Sequence, residues 1–544
     1  MTDSSPIDFV ACLRRRAEQS PERIAYIFPR GHLSFRELEQ ESEILARGLF
    51  QHGIRKGTKV AFLVPPSREF FALAFALLQL GSIPILIDPG IGRRQIGRCL
   101  ERAEPEVFIG VPRAHVGRLL LGWGRRTVGL NLTVGGPSLW GGTTYLKVRA
   151  AGLQTPKLAP VAMDPDEPAA VAFTSGSTGP SKGAVYTRRI LNAQVELLQK
   201  HHGIKEGEVS LATFPLFALF DPAMGVTSVI PEMDFTRPGS VDPARILRPI
   251  REHRVTHMFG SPALLKRVSS AGDFGEGKLD SLQRVLSAGA PISPKILRSF
   301  LEHLPEGAVI YTPYGATEAL PVTTISHVEI LGGTEEGTAQ GAGVCVGKPL
   351  PELFVGIIAI TDEPLTRWAE DILLPPGQIG EIVVSGANVS PSYDRDPQGT
   401  RLAKIQGEDG TIFHRMGDVG YFDSDGRLWF CGRKFHRVAT AGGTLFPVAC
   451  EGIFNRHPAV YRSALVGTGP GAVKKPVLCI QLEPPAKATS HARIRDELLA
   501  LGSAHPMTKD IRTFLFHRSF PVDVRHNAKI YREKLAIWAE REMR

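Results

Sequence analysis

Phe173-Thr174-Ser175-Gly176-Ser177-Thr178-Gly179-Pro180-Ser181-Lys182-Gly183 comes directly after an apolar run, Ala169 to Phe173. The run reads as a buried strand, and the segment after it packs hydroxyls, glycines and one lysine into a single loop. Glycine lets backbone N–H groups approach an oxyanion closely, hydroxyls donate further hydrogen bonds, and Lys182 can neutralise negative charge. This is the composition of a polyphosphate-binding loop. It is not a Walker A loop. Ser181 stands where that motif has its second glycine, and Gly183 comes after Lys182 where it has serine or threonine.

Outward from this loop, strands alternate with helices. Ser34-Phe35-Arg36-Glu37 is a capping-box pattern and predicts a helix that stops near Gly53. Lys59 to Val64, closed by Pro65-Pro66, predicts a buried strand. Phe70 to Ile87 is 18 residues without a charge, the length of a short membrane span. Gln79, Gly81 and Pro84 interrupt it, so it reads as a buried helix (Phe70 to Leu80), a turn and a short strand (Pro84 to Ile87). The alternation resumes at Val209 to Phe214, Thr256 to Gly260 and Arg284 to Ala288, which argues for an α/β protein with largely parallel sheets. Beyond Gly347 the pattern changes. Ile379 to Gly386 and Gly420 to Phe430 alternate apolar positions around Asp-Gly turns, as hairpins or a small β-barrel do. The expected organisation is a large N-terminal part of two α/β subdomains plus a small β-barrel, residues 1–433. A smaller, mobile α+β domain completes it, residues 434–544.

Composition sets outer bounds. The 544 residues are 43% hydrophobic and 22% charged, which excludes a disordered chain. The net charge of +9 suits anionic ligands, but spread over this length it is no argument for nucleic acid. Arg14-Arg15-Arg16 and Arg125-Arg126 are expected to be solvated faces. Six cysteines without a CxxC pair suggest neither zinc nor a disulfide framework, and with no secretory signal at the start the expected location is cytoplasmic.

Five further segments, in order, make the loop specific: Ser287-Ala288-Gly289-Ala290-Pro291, Tyr314-Gly315-Ala316-Thr317-Glu318, Gly417-Asp418-Val419-Gly420-Tyr421, Gly432-Arg433 and Asn527-Ala528-Lys529-Ile530. Together they resemble the adenylate-forming superfamily of acyl-CoA synthetases, peptide-synthetase adenylation domains and luciferases, over about Ser34 to Leu535. The resemblance implies ATP and Mg²⁺. It assigns nucleotide contacts to Thr174, Ser175, Gly176, Ser177, Thr178, Gly179 and Lys182, to Gly289, Ala290 and Pro291 beside adenine, and to Tyr314, Gly315 and Thr317. It gives Asp418 the ribose hydroxyls and Arg433 a place near ribose and phosphate. Glu318 and Thr174 would serve the metal, and Lys529, Glu318 and Lys182 the chemistry. These roles make physical sense, because a weak carboxylate nucleophile attacking a charged α-phosphate needs positive charge around the transition state.

Departures from the family pattern narrow the reading. Phe435 and His436 occupy the usual acidic pair after Gly432-Arg433, and Ala439 a later polar position, which argues against CoA transfer. Ala218 replaces a common histidine, and Met416 a common threonine. With Phe214 to Gly225, His414 to Asp418, Cys431 to Lys434 and Arg525 to Lys529, these features resemble the olefin β-lactone synthetases of bacterial long-chain hydrocarbon biosynthesis. That branch implies adenylation of a 2-alkyl-3-hydroxy fatty acid, lactone closure by its own β-hydroxyl, no need for CoA, and thiolase-like, reductase and decarboxylase partners. A fatty-acyl-CoA or fatty-acyl-AMP ligase, and a non-catalytic nucleotide binder, are the alternatives. An apolar acyl pocket is expected from Phe214 to Gly225 and Phe259 to Leu264. His414, His436 and His526 are weighed as bases, without an assignment.

Overall fold

The computed structural model describes residues 8–173, 181–271, 278–483, 490–523 and 529–544. Two seven-stranded, mostly parallel sheets form the first part. The strand order of one is Val309–Tyr311, Arg284–Leu286, His257–Phe259, Val209–Ala212, Thr227–Val229, Ile24–Ile27 and His32–Ser34. The other runs Thr143–Thr144, Leu130–Thr133, Val107–Gly110, Lys59–Leu63, Ile83–Ile87, Pro168–Phe173 and Gly183–Thr187. In each, only the last pair is antiparallel. Covered parallel strands need no alternation, which is why they read as continuous apolar runs.

The uncharged stretch is the keystone between the sheets. Helix Arg68–Gln79 buries nine consecutive side chains, Phe70 to Leu78, as a helix apolar all round must. Phe71 stacks on Tyr26 of one sheet at 3.9 Å, and Phe70 on Phe62 of the other at 5.0 Å. The expected capping box is formed: Ser34 caps helix Phe35–Gln51 and Glu37 bonds back to the Ser34 N–H.

The third sheet is antiparallel and has eight strands, from the hairpin Tyr314–Ala316/Ala319–Thr324 at one end to Phe354–Ile358 at the other. The small barrel expected from the hairpins is here this sheet; among the described residues its two end strands are not paired to each other. Beyond Arg433 come a two-stranded ribbon and a sheet of three strands, Val460–Thr468, Lys475–Leu482 and Thr513–Phe516. This sheet is packed by helices Pro447–Asn455, His491–Ser503 and Arg532–Glu542, with its own apolar cluster around Phe454, Leu478 and Phe514. All six cysteines are buried and free. Among the described residues no helix is long and apolar enough to cross a membrane.

Candidate active site

Parallel α/β sheets present their ligand-binding loops at the carboxyl ends of the strands. Here Asp88, Phe214, Phe259, Ala288-Gly289 and Pro313 each lie just past or at such an end, and all line one cavity of about 710 Å³. Lys182, Thr317, Glu318, Arg433 and Lys529 line the same cavity. Segments more than 300 residues apart in sequence thus converge on one space.

Strand register explains the convergence. Lys182 immediately precedes Gly183, which pairs with Phe173 at the end of two antiparallel strands. Thr317-Glu318 is the two-residue tip of a hairpin, since Ala316 pairs with Ala319. Asp418 and Arg433 are direct partners across two neighbouring strands. Gly432, just before Arg433, has φ +134°, a conformation that costs glycine nothing. Lys529 is tied back to Asp523: its N–H donates to Asp523 Oδ1 at 2.9 Å, and the Asp523 N–H donates to the Lys529 carbonyl at 3.0 Å. Helix Arg532–Glu542 behind it is fastened by the buried Arg532–Glu451 pair.

Two polar clusters organise the site. In the first, Tyr314 Oη donates to Asp418 Oδ2 at 2.7 Å, and Arg433 Nη1 lies 3.0 Å from Asp418 Oδ1. Burial raises the Asp418 carboxyl, and Arg433, Tyr314 and the charge of Lys529 pull it back. Asp418 Oδ1 is buried and, beyond this ion pair, accepts no hydrogen bond among the described residues. In the second cluster, Tyr393 Oη donates to Glu318 Oε1 at 2.7 Å. Lys182 Nζ lies 4.8 Å and Lys404 Nζ 5.8 Å from the centre of the Tyr393 ring, both within cation–π range. Lys404 also donates to the Ser390 carbonyl, and the Ser390 N–H donates to the Glu318 carbonyl at 2.8 Å. Burial pushes the Lys404 ammonium down to about 7, with Glu318 opposing and Lys182 adding to the shift.

The rest of the wall is apolar. Phe214, Phe217 and Phe259 pack edge-on or tilted at 4.8–6.1 Å, and Phe9, Phe62, Ala74, Leu78 and Phe220 continue the lining between the two large sheets. The expected pocket is half right. Phe214, Leu216, Phe217, Leu219, Phe220 and Phe259 line it, whereas Leu264 is packed in the core of the first sheet and Asp221 to Gly225 lie behind the wall.

Thr174, Ser175, Gly176, Ser177, Thr178 and Gly179, with Arg525, His526, Asn527 and Ala528, lie outside the described residues. Gly289 and Gly315 line the cavity, but half-buried Ala290 and exposed Pro291 do not. Tyr314 and Asp418 are not in the cavity lining themselves, but their chain neighbours Pro313, Gly315 and Gly417 and the ion-pair partner Arg433 are. His414 is buried, bonds the Ala403 carbonyl at 3.2 Å and is held well below its usual range by burial and Lys404. His436 is packed against Phe435, and burial plus Arg532 and Arg433 push it down to about 3. Sequence reasoning missed Tyr393, Lys404, Tyr186 and Gln194, and the buried trio Arg415–Glu381–Lys434, at 2.6 and 3.1 Å, which anchors the start of the Lys434–His436 turn. The one available signal was a charged residue at an inward position of a strand: Glu381 between Gly380 and Ile382, and Lys404 before Ile405.

These residues fit the groups the chemistry needs. Asp418 Oδ1, ion-paired but with no hydrogen bond donated to it, is an acceptor suited to a hydroxyl. Among the described residues no three His, Cys, Asp or Glu could hold a metal together. A single carboxylate such as Glu318 suits Mg²⁺ that takes its other ligands from phosphates and water.

Residues 13–394 match the family model of AMP-binding enzymes. The chain belongs to that family. As a member it is an adenylate-forming ligase, and its curated relatives include two olefin beta-lactone synthetases. That of Xanthomonas campestris pv. campestris is 45% identical over 98% of this chain and 98% of its own length. That of Stenotrophomonas maltophilia is 45% identical over 99% of each. Among solved structures of the same architecture, the amide bond synthetase McbA of Marinactinospora thermotolerans superposes with TM-score 0.79 at 25% identity, covering 98% of this chain and 99% of that one. The family likeness therefore extends past the matched residues to Lys529 and the C-terminal helix.

Proposed function

We propose that the enzyme activates a 2-alkyl-3-hydroxy fatty acid with ATP and closes it to a β-lactone, releasing AMP and pyrophosphate. The observation that carries this reading is the single cavity. Lys182, Glu318 and Lys529 line the same cavity of about 710 Å³ as an aromatic and aliphatic wall, which suits alkyl chains. The 45% identity to two enzymes named for lactone formation supports the second step.

In the first step the substrate carboxylate oxygen attacks the α-phosphorus and pyrophosphate leaves. Asp418 accepts ribose hydroxyls, Arg433 holds the phosphate side, and Lys182 and Lys529 offset charge developing on the phosphoryl oxygens. Thr174 to Gly179 would cradle the polyphosphate, and Gly289, Ala290, Pro291, Tyr314, Gly315 and Thr317 the adenosine. Glu318, oriented by Tyr393, would hold Mg²⁺ with Thr174, and the metal would polarise the phosphates. In the second step the β-hydroxyl oxygen attacks the acyl carbonyl carbon and AMP leaves. The hydroxyl proton passes to the departing phosphate or to water. Tethering of this nucleophile gives a high effective molarity, against which the strain of the four-membered ring works. No thiol is required, in keeping with Phe435 and His436 in place of an acidic hinge pair. Residues 434–544 would rotate about Arg433 between the steps as a separate domain. A cytoplasmic enzyme receiving its acid from thiolase-like and reductase enzymes and passing its lactone to a decarboxylase fits this chemistry.

A substrate lacking the 3-hydroxyl tests the order of events. It should yield pyrophosphate and stop at acyl-adenylate, whereas the hydroxy acid releases AMP at each turnover. Equal AMP release from both would remove ring closure from the mechanism.

A further inference from the structure

From Val107 to Met163 the chain runs 57 residues without an Asp or Glu, against seven Lys or Arg. Arg149 and Lys157 in this stretch pair with Glu41 and Glu43, and Arg118 lies half-buried over the Phe108 ring. Arg113, Arg125, Arg126 and Lys147 are exposed and make no ion pair among the described residues. The same stretch is where apolar side chains face outward. Of the fourteen large apolar side chains exposed among the described residues, seven fall between Val116 and Leu153, so this surface departs from the rest of the molecule.

Helix Pro112–Leu121 concentrates the feature. Its only buried residue is His115, which stacks on Trp140 at 4.7 Å. On the outward side, Val116, Leu119 and Leu120 recur at helical spacing, with Leu120 80% exposed. The ring stack brings the Ser138–Gly141 loop beside the helix, and Leu139 at its tip is 81% exposed. The helix ends at Gly122, and Arg125-Arg126 come soon after, while Arg113 stands in its first turn. The helix thus turns an apolar stripe to solvent, with cations near both of its ends.

We propose that this face is a peripheral docking surface for an anionic lipid bilayer, with Val116, Leu119, Leu120 and Leu139 entering the headgroup–acyl boundary and Arg113, Arg125 and Arg126 on the lipid phosphates. Charge complementarity selects this occupant. A bilayer is anionic at its surface and apolar a few ångströms below, which matches leucines flanked by arginines. An acidic protein surface would satisfy the arginines and leave the leucines without apolar depth. A ten-residue helix buries little area, so binding needs both contributions and is reversible.

Flotation of the full-length enzyme with vesicles of phosphatidylcholine alone and of phosphatidylcholine with one quarter phosphatidylglycerol tests this. The enzyme should float with the anionic vesicles, not with the neutral ones, and the association should vanish in 0.5 M salt. Leu119→Ser with Leu120→Ser should abolish flotation. Arg125→Glu with Arg126→Glu should weaken it by about fivefold or more for each charge removed. Both pairs sit on the surface, so unchanged circular dichroism and unchanged adenylation of a short-chain acid should accompany the loss. Absence of wild-type flotation with anionic vesicles overturns the proposal, as does flotation that neither variant pair reduces. So does a result in which the variants change only the oligomeric state by light scattering, which would make the face an interface between copies.

Discussion

The two ends of the cavity are built by opposite rules. At the nucleotide end the two carboxylates are held by short directional bonds: Tyr314 to Asp418 at 2.7 Å, Arg433 beside the same carboxylate, Tyr393 to Glu318 at 2.7 Å. At the alkyl end the lining side chains are apolar and meet by packing. Phe214, Phe217 and Phe259 hold one another by ring packing, and Phe62, Ala74 and Leu78 are core residues that also form the wall. Directional bonds suit a transition state whose charges must be met at fixed points; packed rings suit chains that need only shape and dryness. Damage to the first end should therefore appear in rate, and damage to the second in chain-length dependence.

The largest effect is expected from Lys529→Ala. It should lower acid-dependent ATP–pyrophosphate exchange by about a hundred- to a thousandfold while nucleotide affinity, measured by calorimetry, stays within a few-fold. Exchange at the wild-type rate would take the lysine out of the chemistry. At the other end, Phe217→Ala should cost long-chain acids about 1.5–3 kcal/mol, roughly ten- to a hundredfold in kcat/KM, and leave a short-chain acid unaffected. Equal losses for both acids would mean that the ring supports the fold and not the substrate.

Smaller changes probe how the nucleotide end is held. Tyr393→Phe removes one hydrogen bond to Glu318 and should raise the Mg²⁺ concentration for half-maximal exchange about tenfold. Lys404→Met should move the same constant in the same direction with an unchanged or higher melting temperature, because a buried ammonium gives way to an apolar chain of similar size. A melting temperature that falls with no change in Mg²⁺ dependence would make Lys404 purely structural.

A pH-dependent effect on stability, not on turnover, is expected beside the alkyl end. Asp221 lies buried one residue after Phe220, and burial pushes its carboxyl up to about 6, with His257 opposing. A raised carboxyl stabilises the fold when protonated. That contribution is complete below the unfolded value of about 4 and is lost as pH rises through about 6. Asp221→Asn should therefore be more stable than wild type by up to about 3 kcal/mol at pH 8, with the gap closing towards pH 4. Denaturant melts at the two pH values would show it, and a constant difference would contradict it.

The contrast between the ends also explains what was legible in the sequence. Lys182, Thr317-Glu318 and Arg433 sit in loops or at a strand end and Asp418 within strand Ile412–Phe422, each among contiguous motif residues, and the α/β alternation located the sheets to within a residue or two. Phe62 and Leu78 carry no such mark, since a residue that lines a cavity from inside a buried strand or helix reads as ordinary core. Tyr393 and Lys404 reach Glu318 through long-range pairing of Ala184 with Tyr393 and Ala319 with Val389, which no local pattern encodes. Glu381 stands in a strand buried on both faces, and only the distant Arg415 and Lys434 that neutralise it there explain its charge.

The central claim is that one cavity carries out both activation and ring closure without a thiol. The most direct measurement is product analysis by NMR and mass spectrometry after incubation with ATP, Mg²⁺ and a synthetic 2-alkyl-3-hydroxy acid, with and without CoA. The account predicts β-lactone, AMP and pyrophosphate in equal amounts whether or not CoA is present. A CoA thioester, or an acyl-adenylate that only hydrolyses, would contradict it.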